Sequence, residues 1–197
     1  MSDAITDLKA QARILHRSAL RNDAAAMSRL RAFDGWDGAS DDEILERLQR
    51  KHCLLVVARE HGFTSWAHAA TVLSTATPDD FGTLLYPSGT AAHWNIWSAS
   101  YEEARRIREE HGGFLLAYRN QYLIVDEHFI RTLGLDPDDA DWAAIGRDWA
   151  RPKQPEARQR LYAKLIRQRR ITASHYAPPA GRSGGRLARE RGAFEKR

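Results

Sequence analysis

Apolar residues recur at intervals of three and four through the first third of the chain, then give way after position 110 to blocks of consecutive apolar residues. Ile5, Leu8, Ala12, Leu15 and Ala19 form one helical stripe. Met27, Leu30 and Phe33 form a second, after an Asn22-Asp23 break that can cap it. Asp34-Gly35-Trp36-Asp37-Gly38 reads as a loop. Ser40-Asp41-Asp42-Glu43 then has the form of a capping box and opens a longer helix through Ile44, Leu48, Leu55 and Val56 that stops at Gly62. His61, beside that stop, would set a positive charge at the negative end of the helix. Ser65 caps a further helix carrying Trp66, Ala69, Val72 and Leu73, so the pattern predicts a module of about four helices over residues 1–75.

Ser74-Thr75-Ala76-Thr77-Pro78-Asp79-Asp80 reads as a linker, and the period changes beyond it. Tyr86-Pro87-Ser88-Gly89 predicts a turn, and the aromatic stretch from Ala92 to Ser98 a strand. Ser100-Tyr101-Glu102-Glu103 is a second capping box, opening a helix that ends at His111 before Gly112-Gly113. Phe114 to Val125 is two apolar runs around Arg119-Asn120. This predicts a hairpin with Tyr118 opposite Gln121, Ala117 opposite Tyr122 and Leu116 opposite Leu123. Both faces of that hairpin are apolar, so each must be covered or bind something. Asp126 caps a short helix with Phe129, Ile130 and Leu133, and Asp136-Pro137 caps another with Trp142 and Ile145. The expected fold is α+β: a helical docking module, a small β-α-β-β-α-α domain over 80–171 that includes a long basic helix, and a flexible basic tail over 172–197.

Charge changes this picture at one end. Residues 151–197 hold 14 Lys/Arg and 3 Asp/Glu, and subtraction from the chain totals of 30 and 26 leaves 16 and 23 for residues 1–150. The two parts carry net +11 and −7 by that count. Ala157, Leu161, Leu165 and Ile166 form an apolar stripe beneath Arg158, Arg160, Lys164, Arg167, Arg169 and Arg170, while the stretch after Ile171 has almost no large apolar residue. Arg167, Arg169, Arg170, Arg182, Arg186, Arg189 and Arg191 are therefore the candidate contacts to nucleic acid or to an acidic partner. No apolar run approaches eighteen residues and no secretory signal opens the sequence, which leads us to expect a cytoplasmic protein without membrane contact. Cys53 is the single cysteine and is expected to be a small buried apolar residue.

One stretch resembles a known module. Val56-Val57-Ala58-Arg59-Glu60-His61-Gly62-Phe63-Thr64-Ser65-Trp66 is similar to the Ala-Arg-Glu-aromatic-Gly-Phe-x-Ser-Trp signature of a helical module found ahead of ankyrin repeats in some bacterial proteins. The resemblance covers residues 1–75, and no 33-residue repeat follows it. It implies a docking element for a protein partner and no catalytic residue. The same residues fit a loose helix-turn-helix template, but Trp66, Ala67, His68, Ala69, Ala70 and Thr71 offer little that reads base edges.

Candidate chemistry gathers around the first strand. Tyr86, His93, Trp94, Asn95, Trp97, Tyr118, Arg119, Gln121 and Tyr122 interleave polar with aromatic groups, and alternation sets His93, Asn95 and Trp97 on one strand face. A groove there would offer His93, with Tyr86, for acid-base work and Trp94, Asn95, Trp97, Tyr118, Arg119, Gln121 and Tyr122 for ligand binding. The hydrolase elbow, dinucleotide, phosphate-loop and zinc-protease motifs are missing from the sequence. Asp136, Asp138, Asp139 and Asp141 lack the turn glycine and distal glutamate of a calcium loop. The expectation is a non-catalytic binding or regulatory protein with no metal or cofactor, its basic C-terminus on nucleic acid or an acidic partner. Two alternatives stay open: a small enzyme or ligand-binding protein using the His93 groove, and a protein-protein interaction module.

Overall fold

The computed structural model describes residues 3–32, 35–36, 38–74, 78–87, 90 and 94–173, with side chains to residue 169. His93, the side chain of Arg170, and Arg182, Arg186, Arg189 and Arg191 lie outside the described residues, as does the expected tail beyond position 173. The first half is helical: α1 (Ala4–Ala19), α2 (Ala24–Arg31), α3 (Asp41–Arg47), α4 (Arg50–Glu60) and α5 (Trp66–Ser74). Asp3 caps α1 through a bond from Thr6 N, and Asp23 caps α2 through one from Ala26 N at 2.8 Å. Each thereby satisfies an amide that the first helical turn leaves without a partner. Ala4, Leu8, Ala12, Leu15 and Ala19 are buried along one stripe of α1, as their spacing predicts.

The long helix expected from Ser40 to Gly62 is two helices. Leu48 is extended, with ψ of 123°, and Gln49 starts α4, its amide donating to His52 Nδ1 at 3.1 Å. The break lets Ile44 and Leu48 of one segment and Cys53, Val56 and Val57 of the other all reach the core. A continuous 3.6-residue period cannot bury both sets at this angle.

The second half holds β1 (Asn95–Ser98), α6 (Tyr101–His111), β2 (Phe114–Tyr118), β3 (Gln121–Val125), α7 (Glu127–Thr132), α8 (Ala140–Ala144) and α9 (Pro155–Ala173). The three strands form an antiparallel sheet in the order β1-β3-β2, and the hairpin has the expected register, including Tyr118 opposite Gln121. Trp97 lies opposite Leu123 in β3, which in turn lies opposite Leu116 in β2, so these three share a face. Asp139, rather than Asp136, caps α8, accepting from Asp141 N at 3.0 Å.

Both sheet faces are covered, which answers the two apolar faces of the hairpin. α6 packs on one, with Tyr101 edge-on to Tyr122 at 5.6 Å. On the other, Phe114 begins a run of ring contacts through Trp142 and Trp149 to Tyr162 of α9. Residues 147–149 add a short parallel bridge along the outer side of β2.

The helical and sheet parts share one core. α9 packs against α1, α5 and α8, and buried apolar residues from α1 to α9 join a single cluster. Residues 80–86 form a strap between the parts. Its Thr83 N donates to Gly62 O at 2.9 Å, and Gly82 O accepts from Arg119 N at 2.7 Å at the hairpin tip. The Gly-Phe pair of the docking-module signature is thus used inside the chain: Phe63 is buried, and Gly62 lies against the strap.

Candidate functional site

The strap positions the aromatic site. Leu84 and Leu85 are buried, anchoring the strap, and Tyr86 follows them onto the sheet face that carries Trp97. Tyr86, Trp97 and Tyr118 form a triangle of edge-on rings, with centroids 5.1, 5.6 and 5.7 Å apart. Phe129 of α7 stacks beneath Tyr86 at 5.9 Å and fixes it from below. Edge-on pairs of this kind hold aromatic rings in fixed orientations. Trp97 is 39% exposed and Trp94, just before β1, 51% exposed. Arg119 holds its guanidinium 5.6 Å from the centre of the Tyr118 ring. Gln121 is exposed opposite Tyr118, and Asn95 shares the face of Trp97.

Tyr122 points to the opposite face, against Tyr101. The structure therefore brings together Tyr86, Trp97, Tyr118 and Arg119 of the expected group, and sets Tyr122 apart. Phe129 belongs to the cluster and was not expected there. Its signal is its place three residues after Asp126, whose cap fixes which side of α7 faces the sheet. The arrangement offers flat apolar surface edged by a cation, suited to stacking a planar ligand.

The basic helix α9 has its charge directed inward. Arg158 is completely buried and donates to Trp149 O at 2.8 Å. Arg160 bonds Asp141 through two nitrogens, at 2.6 and 2.9 Å, and Lys164 bridges Asp139 and Asp141. Burial pushes the Asp141 carboxyl up, but the bonds from Arg160 and Lys164 outweigh it and hold its pKa below the usual value. Arg167 pairs with Asp7 of α1 at 2.8 Å, and Arg169 donates to Leu84 O on the strap. Burial lowers the Arg169 pKa to about 10. Of the expected nucleic-acid contacts, Arg167 and Arg169 are thus engaged by the fold itself.

The charge count agrees with this geometry. Residues 151–173 hold eight Lys/Arg and one Asp/Glu, a net +7 that balances the −7 of residues 1–150. Residues 174–197 hold six Lys/Arg and two Asp/Glu, net +4, the whole net charge of the chain.

Buried polar groups elsewhere serve the fold. His61 is 4% exposed and faces Gln11 Oε1 through Nε2 at 3.1 Å. Burial, aided by the nearby charges of Arg169 and Arg29, lowers its pKa to about 3. It is therefore neutral, and the expected cation at the end of α4 is not its role. Tyr101 donates to Asp148 Oδ2 at 2.6 Å, and burial with that bond raises its pKa to about 12. Cys53 is buried, with its thiol pushed up to about 11 by burial. His68 accepts from Thr64 N at 3.1 Å and reaches Asp80 O at 3.0 Å, so the helix of the loose DNA-reading template spends its one polar ring locally. No described helix is long and apolar enough to cross a membrane. Set against known proteins, the chain matches no family model, no curated protein and no solved structure.

Proposed function

We propose that the chain is a non-catalytic binding protein for single-stranded nucleic acid, stacking bases on Trp97 and holding phosphates with the cations that follow Ala173. The observation that carries this reading is Trp97: a large ring, 39% exposed, braced edge-on by Tyr86 and Tyr118 on a sheet that is otherwise covered. A rigid ring exposes stacking surface without an ordering cost on binding, and any base has a face to lay on it. Arg119 beside Tyr118 adds a cation within reach of the same surface. The six Lys/Arg of residues 174–197 supply contacts that carry no sequence information.

Fluorescence anisotropy of a labelled mixed-sequence 12-mer, titrated at several salt concentrations, tests this. Wild type should bind, with affinity falling as salt rises. W97A should lose about 1–3 kcal/mol at every salt concentration, because stacking is not an ionic contact. A chain ending at Ala173 should instead lose the share of the salt dependence that the cations after Ala173 supply. No binding at low salt, or a W97A variant that binds like wild type, would end the proposal.

A further inference from the structure

A row of cations without ion pairs follows the first helix. Lys9, Arg13, Arg17 and Arg21 recur at every fourth position, and all four are exposed. A rise of about 1.5 Å per residue spaces Lys9, Arg13 and Arg17 about 6 Å apart over about 12 Å, and Arg21 follows in the turn just beyond α1. Each step turns by about 40°, so these three make a slightly slanted row along the solvent side of α1. Asp7 lies on another side of α1, paired with Arg167 of α9, and no further acid follows in sequence until Asp23. Asp23 is itself taken up as the cap of α2.

Several other arginines of the body are paired. Arg29 pairs with Glu60, Arg31 with Asp41, Arg105 with Glu109, Arg131 with Glu127 and Arg151 with Glu102. Lys9, Arg13, Arg17 and Arg21 form no ion pair with any described residue, and the charge of Lys9 is a minor part of what lowers the Asp3 pKa at the start of the helix. Like charges four residues apart work against a helix. The negative helix end accounts for a cation at Arg17 or Arg21, but not for Lys9 and Arg13 in the middle.

We infer that this face of α1 docks a phosphate chain, the backbone of a nucleic acid. Charge complementarity selects that occupant: an even row of cations matches a polymer that bears one charge per unit, and backbone contacts of this kind fix position without reading sequence. A lipid surface would need a broad apolar face to insert, and α1 shows only Ile14 and Leu20 among its exposed large apolar residues. The inference rests on the nucleic-acid reading above for its ligand, but on separate residues.

Four released cations predict a log-log salt slope of about −2.8 on a single strand and about −3.6 on a duplex from this row alone. The test is the full chain as R13Q/R17Q, with R13K/R17K as its charge-keeping partner, titrated against a 20-mer single strand, a 20-bp duplex and long-chain polyphosphate. Glutamine keeps helix propensity and removes like-charge repulsion, so circular dichroism should be unchanged. R13Q/R17Q should flatten the slope by about 1.4 on the strand and about 1.8 on the duplex, while R13K/R17K keeps it. W97A should leave the slope alone. Unaltered slopes in R13Q/R17Q overturn the row, and leave the Trp97 reading standing if W97A still weakens binding to the strand. Polyphosphate binding that depends on Arg13 and Arg17, without binding of either nucleic acid, overturns the Trp97 reading and keeps the row as a phosphate-chain surface.

Discussion

Replacing Gly62 by alanine probes the joint between the helical part and the sheet. Gly62 has φ of +83°, and a Cβ there would lie 2.3 Å from Thr83 Oγ1, 2.9 Å from Leu84 N and 3.0 Å from Thr83 C. The left-handed backbone alone costs an alanine about 1 kcal/mol. Relieving the contacts costs more, because two of the three atoms are strap backbone and cannot rotate away. Moving that backbone lengthens the bonds Gly62 O accepts from Thr83, now 2.9 Å from N and 3.2 Å from Oγ1. At about 1 kcal/mol each these bring the loss to about 3 kcal/mol. Gly38 is the control: its φ is +73° and nothing lies within 4 Å of a Cβ, so G38A isolates the backbone cost. Urea unfolding followed by tryptophan fluorescence and circular dichroism should place G62A about 2 kcal/mol below G38A with an unchanged m-value. Adding T83A to G62A removes the 2.3 Å contact and leaves both backbone ones, so it should recover less than half of the loss. Equal losses in G62A and G38A would mean that the strap yields freely and that the joint is loose.

Two further outcomes follow from buried and paired charge. His61 has a pKa of about 3 in the fold and about 6.5 when unfolded. Between those values the unfolded chain binds the extra proton, so stability falls as pH drops. From pH 7 to pH 5 that loss is about 2 kcal/mol. H61Q, which takes up no proton, should lose that much less over the interval when urea midpoints are compared at both pH values; matching losses in the two proteins would refute a neutral, buried His61. D141N removes the negative charge that Arg160 and Lys164 both face. It should lower the urea midpoint in dilute buffer, and the deficit should shrink in about 1 M salt, where screening reaches about 3 Å. A salt-independent deficit would assign Asp141 a packing role instead.

Local rules made much of the fold legible. Caps at Asp23, Ser40, Ser100 and Asp126 start helices where the sequence places them, because each is a short-range bond between a side chain and an amide two or three residues on. The hairpin register was legible for the same reason: Arg119-Asn120 is a two-residue loop, and Arg119 takes the positive φ of 52° that such loops need. The break at Leu48-Gln49 was not legible, since its cause is the core that both helices must reach. The strap was also hidden. Nothing local tells that Gly62 and Gly82 meet, 20 positions apart, and Tyr86 enters the aromatic triangle only because they do. His61 shows the same limit in electrostatics: its sequence neighbours suggest a cation at a helix end, and its tertiary neighbours make it neutral.

Net charge by segment does not tell which cations of the body are already paired, and the reason is physical. A sum counts every ionised group, whereas attraction for a partner depends on those not already answered nearby. α9 is rich in cations, yet Arg160, Lys164 and Arg167 face Asp141, Asp139 and Asp7, so most of their field closes within the molecule. These pairs tie the last helix to both α1 and α8. α1 belongs to the half that sums to −7, yet Lys9, Arg13, Arg17 and Arg21 stand together without an acid among them. The charged side chains exposed there are cations even though the half that contains them is negative. The Arg167–Asp7 pair joins α9 to α1 on a side of α1 away from Lys9, because Asp7 lies about 160° round the helix from it.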